Sequence, residues 1–457
     1  MSTDDESFHP LGQEWEGELE EMLDETEYDS DLGMEMAQDA MRVTKGELSE
    51  AEFHEMYHDD VMEEFGVDDR PTEAAYEQAQ EEQKGTATRM LEAFEGDGEE
   101  SRRDAMKKMG VGAAAVGLGA WGTVDDGPEA DLAAANDGDG HSNEGTQLGM
   151  VIDLERCDGC LSCVTACQEE NQTDQGVNWM YVLDYREPGQ GAEPDERGGS
   201  RQRLVRPCQH CTDAPCEKVC PTTARHTREK DGLVLTDYDV CIGCRYCQVA
   251  CPYGVNYFQW GEPEVSAEEL EEDHIFDERG RWVGSRSPKG VMEKCTFCAT
   301  RQDGTKGEEF VGRVACEDAC PPEAIQFGDM NDSESDPQQY LDDPALARVQ
   351  AQSPPEAELQ EAIAVLTGET EPAEDEDDDG LTEREARSLV QAEGGTGDST
   401  FRLLEDIGTE PNIVYIGNEP GPNAQQVDGP VDYEDVGHTD NRKDIVDQGT
   451  VGIDPFN

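Results

Sequence analysis

Apolar residues near the N-terminus recur with the period of an α-helix. Ser49 and Glu52 have the S-x-x-E spacing of a capping box. The positions that follow form one apolar helix face: Phe53, Met56, Tyr57, Val61 and Phe65. We therefore expect residues 1–100 to form a small acidic helical region whose apolar face packs against its own neighbours; docking of a partner subunit is the alternative. His54 and His58, four residues apart, have no third metal ligand nearby in sequence, which favours a solvated surface.

Residues 101–122 contain paired arginines, Arg102 and Arg103, followed by a short Gly/Ala-rich apolar run. This pattern resembles a twin-arginine export signal, although about 100 residues precede it here and such signals normally stand at the N-terminus. An internal linker with a chance arginine pair is the alternative. If the signal is used, the small residues at 133–135 offer a cleavage site.

Composition marks two linkers. Residues 123–147 are rich in Asp, Gly, Asn and Ala, which predicts a flexible linker. Residues 333–399 contain long acidic runs, which predict a mostly disordered insertion with a helical stretch near 356–366. The last segment, 400–457, begins with apolar periodicity over 400–416, so we expect it to dock on the cysteine-rich part and to end in an extended tail.

Charge excludes one class of function. The chain has 457 residues, with 108 Asp and Glu against 34 Lys and Arg, and its net charge of −74 repels nucleic acid. Only −12 of this charge lies between Cys157 and Cys320. The acidic residues are spread along both flanks, which favours a halophilic solvation surface over an acidic interaction tail. No apolar run approaches the roughly 20 residues that cross a bilayer.

All sixteen cysteines fall in four quartets. These are Cys157, Cys160, Cys163 and Cys167; Cys208, Cys211, Cys216 and Cys220; Cys241, Cys244, Cys247 and Cys251; and Cys295, Cys298, Cys316 and Cys320. The first and third quartets have the C-x2-C-x2-C-x3-C spacing of bacterial ferredoxins, in which three cysteines surround one 4Fe-4S cube and the fourth reaches a neighbouring cluster. This spacing predicts iron–sulfur ligation.

Two other uses of cysteine fit the spacing less well. Disulfides would need eight pairs, and repeated x2 spacing strains disulfide geometry. Tetrahedral zinc sites use two C-x2-C pairs rather than quartets with a third cysteine two residues further on. Metal analysis separates zinc from iron.

Residues 148–332 and 400–416 resemble the four-cluster iron–sulfur subunits of the molybdopterin oxidoreductase family, such as those of dimethyl sulfoxide, polysulfide, tetrathionate and nitrate reductases. The matching segments are VIDLERCDGCLSCVTACQEEN, RPCQHCTDAPCEKVCP, CIGCRYCQVACPYG, KCTFC, CPPEAIQFGDMND and GTEPNIVYI. Residues 1–100 and 333–399 lie outside this resemblance.

The resemblance implies an α+β fold with two nested bacterial-ferredoxin-like modules and long loops, formed by residues 148–332. It also implies four 4Fe-4S clusters, each sharing ligands between two quartets. The implied ligand sets are Cys157, Cys160, Cys163 and Cys320; Cys167, Cys295, Cys298 and Cys316; Cys208, Cys211, Cys216 and Cys251; and Cys220, Cys241, Cys244 and Cys247.

The implied function is electron transfer by a subunit that is not itself an enzyme and has no small-molecule substrate. It would relay electrons between a quinol-interacting integral membrane subunit and a molybdopterin-containing catalytic subunit. Its expected place is at the membrane through these partners, on the extracytoplasmic face after twin-arginine export, with the cytoplasmic face as the alternative. The alternative function is a soluble cytoplasmic polyferredoxin that carries electrons. The sequence contains no Walker loop, nucleophile elbow or dinucleotide-binding fingerprint.

Several polar residues stand beside cysteines in the sequence and are candidates to tune cluster potentials, with surface ion pairing as the alternative for each cation: Arg156, Arg206, Lys218, Arg245 and Lys294. His210, between Cys208 and Cys211, is predicted to lie next to the ligands without being one.

Overall fold

The computed structural model describes residues 12–71, 145–186, 202–351, 357–373, 380–395, 399–421 and 424–440. The predicted export signal at 101–122 and most of the predicted linker at 123–147 lie outside the described residues. The described part combines helices with parallel and antiparallel strand pairs, which confirms the α+β class.

Three helices form the N-terminal region: α1 (Gly12–Asp24), α2 (Ser30–Thr44) and α3 (Glu50–Phe65). The predicted capping box begins α3, because the Ser49 hydroxyl accepts the Glu52 N–H and the Glu52 carboxylate accepts the Ser49 N–H, both at 3.2 Å. Gly66 ends the helix with a positive φ of 68°.

The buried face of α3 is narrower than predicted. Phe53, Tyr57 and Val61 are buried, whereas Met56 is 50% exposed, so its assignment to the core is wrong. The buried positions are spaced by four residues, and Met56 lies off that stripe. The expectation of solvated histidines is wrong for His54, which is buried and lies 3.2 Å from the Lys218 carbonyl oxygen.

The N-terminal helices pack against the cysteine-rich part of the same chain, and not only against one another. Tyr246 donates its hydroxyl to the Asp29 carbonyl at 2.6 Å, and the Lys218 ammonium lies 2.8 Å from the Glu50 carboxylate. Gly33 allows the closest approach, since a Cβ there would lie 2.7 Å from Tyr246 Cε1. These contacts hold α2 and α3 against the second and third cysteine quartets.

Short strands run through the rest of the described chain: β1 (Leu148–Asp153), β2 (Tyr181–Arg186), β3 (Gln202–Arg206), β4 (Arg225–Arg228), β5 (Leu233–Thr236), β6 (Tyr257–Phe258), β7 (Met292–Glu293), β8 (Ile325–Asp329), β9 (Thr400–Phe401), β10 (Ile413–Ile416) and β11 (Gln425–Val427). The helices among the cysteines are α4 (Ser162–Asn171), α5 (Pro215–Lys218), α6 (Tyr246–Val249), α7 (Ala299–Gln302) and α8 (Ala315–Asp318). Single 3-10 turns lie at Glu272–His274, Glu308–Phe310, Glu405–Ile407 and Tyr433–Val436.

A four-stranded sheet in the order β8-β1-β10-β9 forms the centre of the fold. All six residues of β1 are buried, and this strand pairs antiparallel with β8 and parallel with β10. Met150 is in register with Ile413 of β10, so residues 413–416 lie in the central sheet beside β1. The sheet places the end of β1 directly before the first cysteine quartet.

A second sheet in the order β11-β2-β3 includes the C-terminal segment. The prediction of an extended tail after residue 418 is wrong for residues 424–440. Here β11 pairs with β2, and the buried Tyr433 accepts the Val182 N–H at 3.1 Å. Burial of the Tyr433 ring offsets the entropy of ordering this Gly/Pro-rich stretch.

The prediction of a mostly disordered insertion at 333–399 is wrong for its described residues. They form four helices: α9 (Asp336–Asp342), α10 (Pro344–Gln350), α11 (Ala357–Leu366) and α12 (Glu383–Gly394). Helix α11 is the helical stretch that the sequence predicted. Helices α10 to α12 share a small apolar core made of Ala345, Val349, Leu359, Ala362, Val365, Ala386 and Val390. Helical spacing of these few apolar residues is enough to bury one face while the acidic residues stay outside.

A buried ion pair anchors this helical insertion to the central sheet. Asp153, at the end of β1, receives hydrogen bonds from Arg348 Nε at 2.6 Å and Arg348 Nη2 at 2.9 Å. The Tyr340 hydroxyl donates to the same carboxylate at 2.8 Å. Both partners of the ion pair are buried, and Arg348 is the cation that pairs with Asp153. Arg348 Nη2 also lies 2.8 Å from the half-exposed carboxylate of Glu155.

We expect Arg348→Met to lower the free energy of unfolding by about 3 kcal/mol, because it leaves Asp153 buried without a counter-charge. Anaerobic urea unfolding followed by circular dichroism measures this change. Arg387→Met is the matched control. Its ion pair with Asp343 leaves the Arg387 side chain 48% exposed, so we expect a loss below about 1 kcal/mol. Equal losses in the two variants would contradict the anchor.

We expect Gly33→Val to detach the N-terminal helices from the cysteine-rich part, because the valine side chain would overlap Tyr246 and Leu23. A Cβ at position 33 would lie 2.7 Å from Tyr246 Cε1 and 2.9 Å from Leu23 Cδ1. Limited proteolysis within residues 12–71 should become faster. Gly17→Ala is the control: Gly17 is exposed on α1 with nothing within 4 Å of an added Cβ, so proteolysis should be unchanged or slower. Unchanged proteolysis of the Gly33 variant would show that this contact does not hold the helices in place.

Candidate metal centre

The sixteen cysteines are free thiols that come together in four groups of four. Group A is Cys157, Cys160, Cys163 and Cys320; group B is Cys167, Cys295, Cys298 and Cys316; group C is Cys208, Cys211, Cys216 and Cys251; group D is Cys220, Cys241, Cys244 and Cys247. Each group draws its members from two sequence quartets. Ligation of iron by these particular thiols stays a prediction.

Left-handed residues bend the loops that carry three successive cysteines. In the first quartet Gly159 has φ 73° and Leu161 has φ 61°; in the third, Gly243 has φ 73° and Arg245 has φ 68°. A side chain at a positive φ is costly, so Leu161 and Arg245 are held there by their surroundings. The reversal lets three cysteines that are close in sequence surround one centre.

Short helices connect the groups in pairs. On α4, Cys163 of group A stands four residues, about one turn, before Cys167 of group B. Helix α8 repeats this relation, because Cys316 of group B lies on it and Cys320 of group A follows it.

The same device connects groups C and D. Cys216 lies on α5 with Cys220 four residues later, and Cys247 lies on α6 with Cys251 four residues later. Two helical turns therefore join A to B, and two more join C to D.

A backbone and imidazole contact joins group B to group C. The Cys208 backbone N–H donates a hydrogen bond to the Cys295 sulfur. His210 Nε2 lies 3.0 Å from the Cys295 carbonyl oxygen, and its Nδ1 accepts the Val234 N–H at 3.1 Å. These two bonds require a neutral imidazole protonated at Nε2. His210 thus lies beside the ligand groups, as predicted, and the groups form a row in the order A-B-C-D.

Exposure differs between the ends and the middle of this row. Every cysteine of groups B and C is buried. The partly exposed cysteines are Cys157, Cys160 and Cys320 of group A, and Cys220 and Cys241 of group D. The chain therefore insulates the two central groups and brings both terminal groups closer to the surface.

Burial makes several of these thiols hold their protons tightly. It raises the pKa of Cys295 and Cys298 to about 12 and holds those of Cys211 and Cys244 well above the usual range, with neighbouring cysteines adding to the effect. Four buried thiolates in one group are thus unfavourable without a bound cation. Metal binding would displace the protons and supply the missing positive charge.

The cations that the sequence places beside cysteines have different surroundings. Lys218 is buried between Glu50 and Asp213, with its ammonium 2.8 and 2.6 Å from their carboxylates, so it forms a structural ion pair. The Arg245 guanidinium stacks on Trp260, with its central carbon 3.6 Å from the ring centroid.

Two of these cations lie next to group C. Lys294 lines its cavity and lies 3.0 Å from the Cys295 carbonyl oxygen. Arg206 is fully buried, and none of its three guanidinium nitrogens has a hydrogen-bond partner among the described residues.

Sequence reasoning missed a further arginine at the cysteines. Arg225 is 1% exposed, and its Nη2 lies 3.6 Å from Cys247 Sγ. Its Nε and Nη1 have no hydrogen-bond partner in the described part of the chain. Arg225 is not adjacent to a cysteine in sequence, so spacing gave no signal for it.

These observations fit a sulfur-rich anionic cofactor at each group. The donor set is four thiols per group, and no cysteine is used in a disulfide. Buried arginine N–H groups without acceptors stand beside groups C and D, as expected where the cofactor supplies acceptor atoms.

Comparison with known proteins gives matches along most of the described chain. Residues 202–275 and 240–325 match the family described as a 4Fe-4S dicluster domain. Residues 9–73 match the family described as the N-terminal region of 4Fe-4S ferredoxin iron-sulfur binding. The N-terminal helices, which lie outside the family resemblance found in the sequence, thus match a separate family of iron–sulfur proteins.

Three curated relatives each align with about two fifths of this chain. A Halobacterium salinarum protein named as the iron-sulfur subunit of a dimethyl sulfoxide reductase is 43% identical over 204 residues, covering 43% of this chain and 71% of the relative. The arsenate respiratory reductase iron-sulfur subunit of Shewanella sp. is 40% identical over 216 residues, covering 43% of this chain and 87% of the relative. The menaquinone reductase iron-sulfur cluster-binding subunit of Nitratidesulfovibrio vulgaris is 38% identical over 207 residues, covering 41% of this chain and 76% of the relative.

The chain belongs to the iron–sulfur subunits of the molybdopterin oxidoreductase family. As a member of this family it is a non-catalytic electron-transfer subunit of a multi-subunit reductase with four 4Fe-4S clusters. When bound, each cluster accepts or donates one electron. Across the described ranges, no helix is both long enough and apolar enough to cross a bilayer.

Proposed function

We propose that this iron–sulfur subunit relays electrons between a quinol-interacting integral membrane subunit and a molybdopterin-containing catalytic subunit. The observation that carries the proposal is the row of four cysteine groups, in which only the two terminal groups contain partly exposed cysteines. Such a row has two places for electron exchange and an insulated path between them. A carrier that serves one partner at a time needs only one such place.

The proposed ligands are the members of groups A, B, C and D, with one 4Fe-4S cluster in each group. Groups C and D each surround a separate cavity lined by their four cysteines. In groups A and B, each buried cysteine lies within electrostatic reach of the other members, for example Cys163 with Cys157, Cys160 and Cys320. Four sulfur donors complete the ligation of one cube, so no further residue is required.

We assign the cysteines to two nested ferredoxin-like modules, one holding groups A and B and the other holding groups C and D. Equivalent backbone features support this assignment. Besides the paired left-handed residues of the first and third quartets, Thr223 and Glu323 both have positive φ, near 50°, three residues after the cysteines that end the second and fourth quartets. The second module lies between the two halves of the first along the chain.

The names of the relatives support the two kinds of partner. Arsenate respiratory reductase and dimethyl sulfoxide reductase are named for terminal substrates, which implies a catalytic subunit, and menaquinone reductase is named for a quinone.

We propose that residues 148–332 and 400–457 form the electron-transfer body. We further propose that residues 101–122 direct it to the extracytoplasmic face, and that the acidic surface serves solubility at high salt.

Anaerobic purification tests the cluster assignment. We expect about sixteen irons and sixteen acid-labile sulfides per chain, and little zinc. Replacing one cysteine of a group by serine should alter only the electron paramagnetic resonance signal of that group's cluster. The four variants are Cys160→Ser in A, Cys298→Ser in B, Cys211→Ser in C and Cys244→Ser in D. Ser162→Ala is the control: it removes a hydroxyl that lies 3.3 Å from the Cys160 sulfur but removes no ligand, so all four signals should remain. A zinc-rich or colourless protein would contradict the assignment.

Purification from native membranes tests the partners. An affinity-tagged full-length chain should be retained with the membrane fraction and recovered with a molybdenum-containing subunit and an integral membrane subunit. Added quinol should reduce the clusters in this complex but not in the isolated chain. Recovery of a free, cluster-loaded chain from the cytoplasm would instead establish the soluble polyferredoxin.

A further inference from the structure

Arg225 stands between two of the cysteine groups. It begins β4, five residues after Cys220, and its backbone N–H donates to Cys220 Sγ at 3.3 Å. Its Nη2 lies 3.6 Å from Cys247 Sγ and donates to Asn256 Oδ1 at 2.9 Å. Backbone and side chain thus both contact sulfur atoms of group D.

The Arg225–Asn256 pair separates the cavities of groups C and D. Arg225 lines the cavity of group D, whereas Asn256 lines that of group C. Asn256 Nδ2 donates to the Cys247 carbonyl oxygen at 3.0 Å, which fixes the amide orientation and leaves Oδ1 for the arginine. The guanidinium is therefore held within the wall shared by the two cavities.

The charge of Arg225 is not neutralised by a carboxylate within the described residues. This distinguishes it from Arg228, at the other end of the same strand, which is equally buried but pairs with Asp231 and Asp303. It also differs from Arg301 near group B, whose guanidinium lies 2.8 Å from both Glu170 and Asp318. Of these three arginines, Arg225 directs an uncompensated charge at the sulfur ligands.

We propose that Arg225 raises the reduction potentials of the clusters of groups C and D together, acting as one charge shared by both. The inference rests on the cluster ligation proposed above. Reduction adds one negative charge to a cluster, so a nearby cation stabilises the reduced form and raises the potential. The buried position strengthens this effect, because neither water nor salt screens the charge. The N–H···S bond to Cys247 acts in the same direction.

The test is a dithionite redox titration of the full chain, followed by electron paramagnetic resonance. The Cys211→Ser and Cys244→Ser variants identify the signals of groups C and D. In Arg225→Gln we expect the midpoint potentials of C and D to fall and those of A and B to remain. Four unchanged potentials in a variant with all four signals would overturn the inference.

Arg225→Lys provides a second measurement if the glutamine variant binds less iron. Lysine keeps the charge but has a single ammonium in place of the planar fork, so it cannot hold both Cys247 and Asn256 in the same way. We expect a smaller fall, largest for group D. Arg228→Lys is the matched control in the same strand, and its four potentials should equal those of the unaltered chain.

These outcomes separate the two proposals. Absence of the C and D signals from the unaltered chain would remove the cluster assignment itself. Normal signals in the unaltered chain, together with unshifted potentials in a fully loaded neutral variant, Arg225→Gln or Arg225→Met, would overturn only the role of Arg225.

Discussion

Spacing of two cysteines by four residues, on a helix or across its end, is the constraint on which the rest of the structure depends. It puts successive thiols about one turn apart, so one thiol can face one group while the next faces its neighbour. Cys163 and Cys167 on α4 show this relation most directly. Helices α5 to α8 have only four residues each, too few to be stable alone. Their stability must come from what the thiols hold and from the sheets packed behind them, so cofactor binding and folding are linked.

The N-terminal helices and the helical insertion at 333–399 are each anchored beside a terminal cysteine group of the row. The N-terminal helices reach group D through Tyr246, which follows Arg245 and precedes Cys247. The helical insertion reaches group A through Asp153, whose carbonyl oxygen accepts the Cys157 N–H at 3.2 Å. Each addition thus stabilises the backbone beside a terminal group, where the cysteines are most exposed. The N-terminal helices also contact Lys218 on α5, the helix that carries Cys216 of group C, so this central group is supported as well.

The sequence was informative where interactions are local. The C-x2-C-x2-C runs and the capping box at Ser49 depend on neighbouring residues, so spacing alone predicted them. The pairing of Cys320 with the first quartet depends on the return of the chain through β8, and only family resemblance pointed to it. The helices at 333–399 were missed because acidic runs dominated the composition, although a few apolar residues such as Leu359 and Val390 suffice for a small core. The contact between Arg225 and Cys247 could not be predicted from the sequence, because the folding of β4 and β5 brings these residues together.

The surface carboxylates and the buried cations differ in how strongly they affect the potentials of the clusters. Surface carboxylates are screened within about 3 Å at molar salt, so their combined field at a buried centre is small there. Arg206 and Arg225 are excluded from water and keep their full influence on the neighbouring sulfur atoms. At molar salt, the exposed part of the net charge of −74 therefore has little effect on the potentials of buried clusters. Inside the protein, the few buried charges beside the thiols determine where an electron is held.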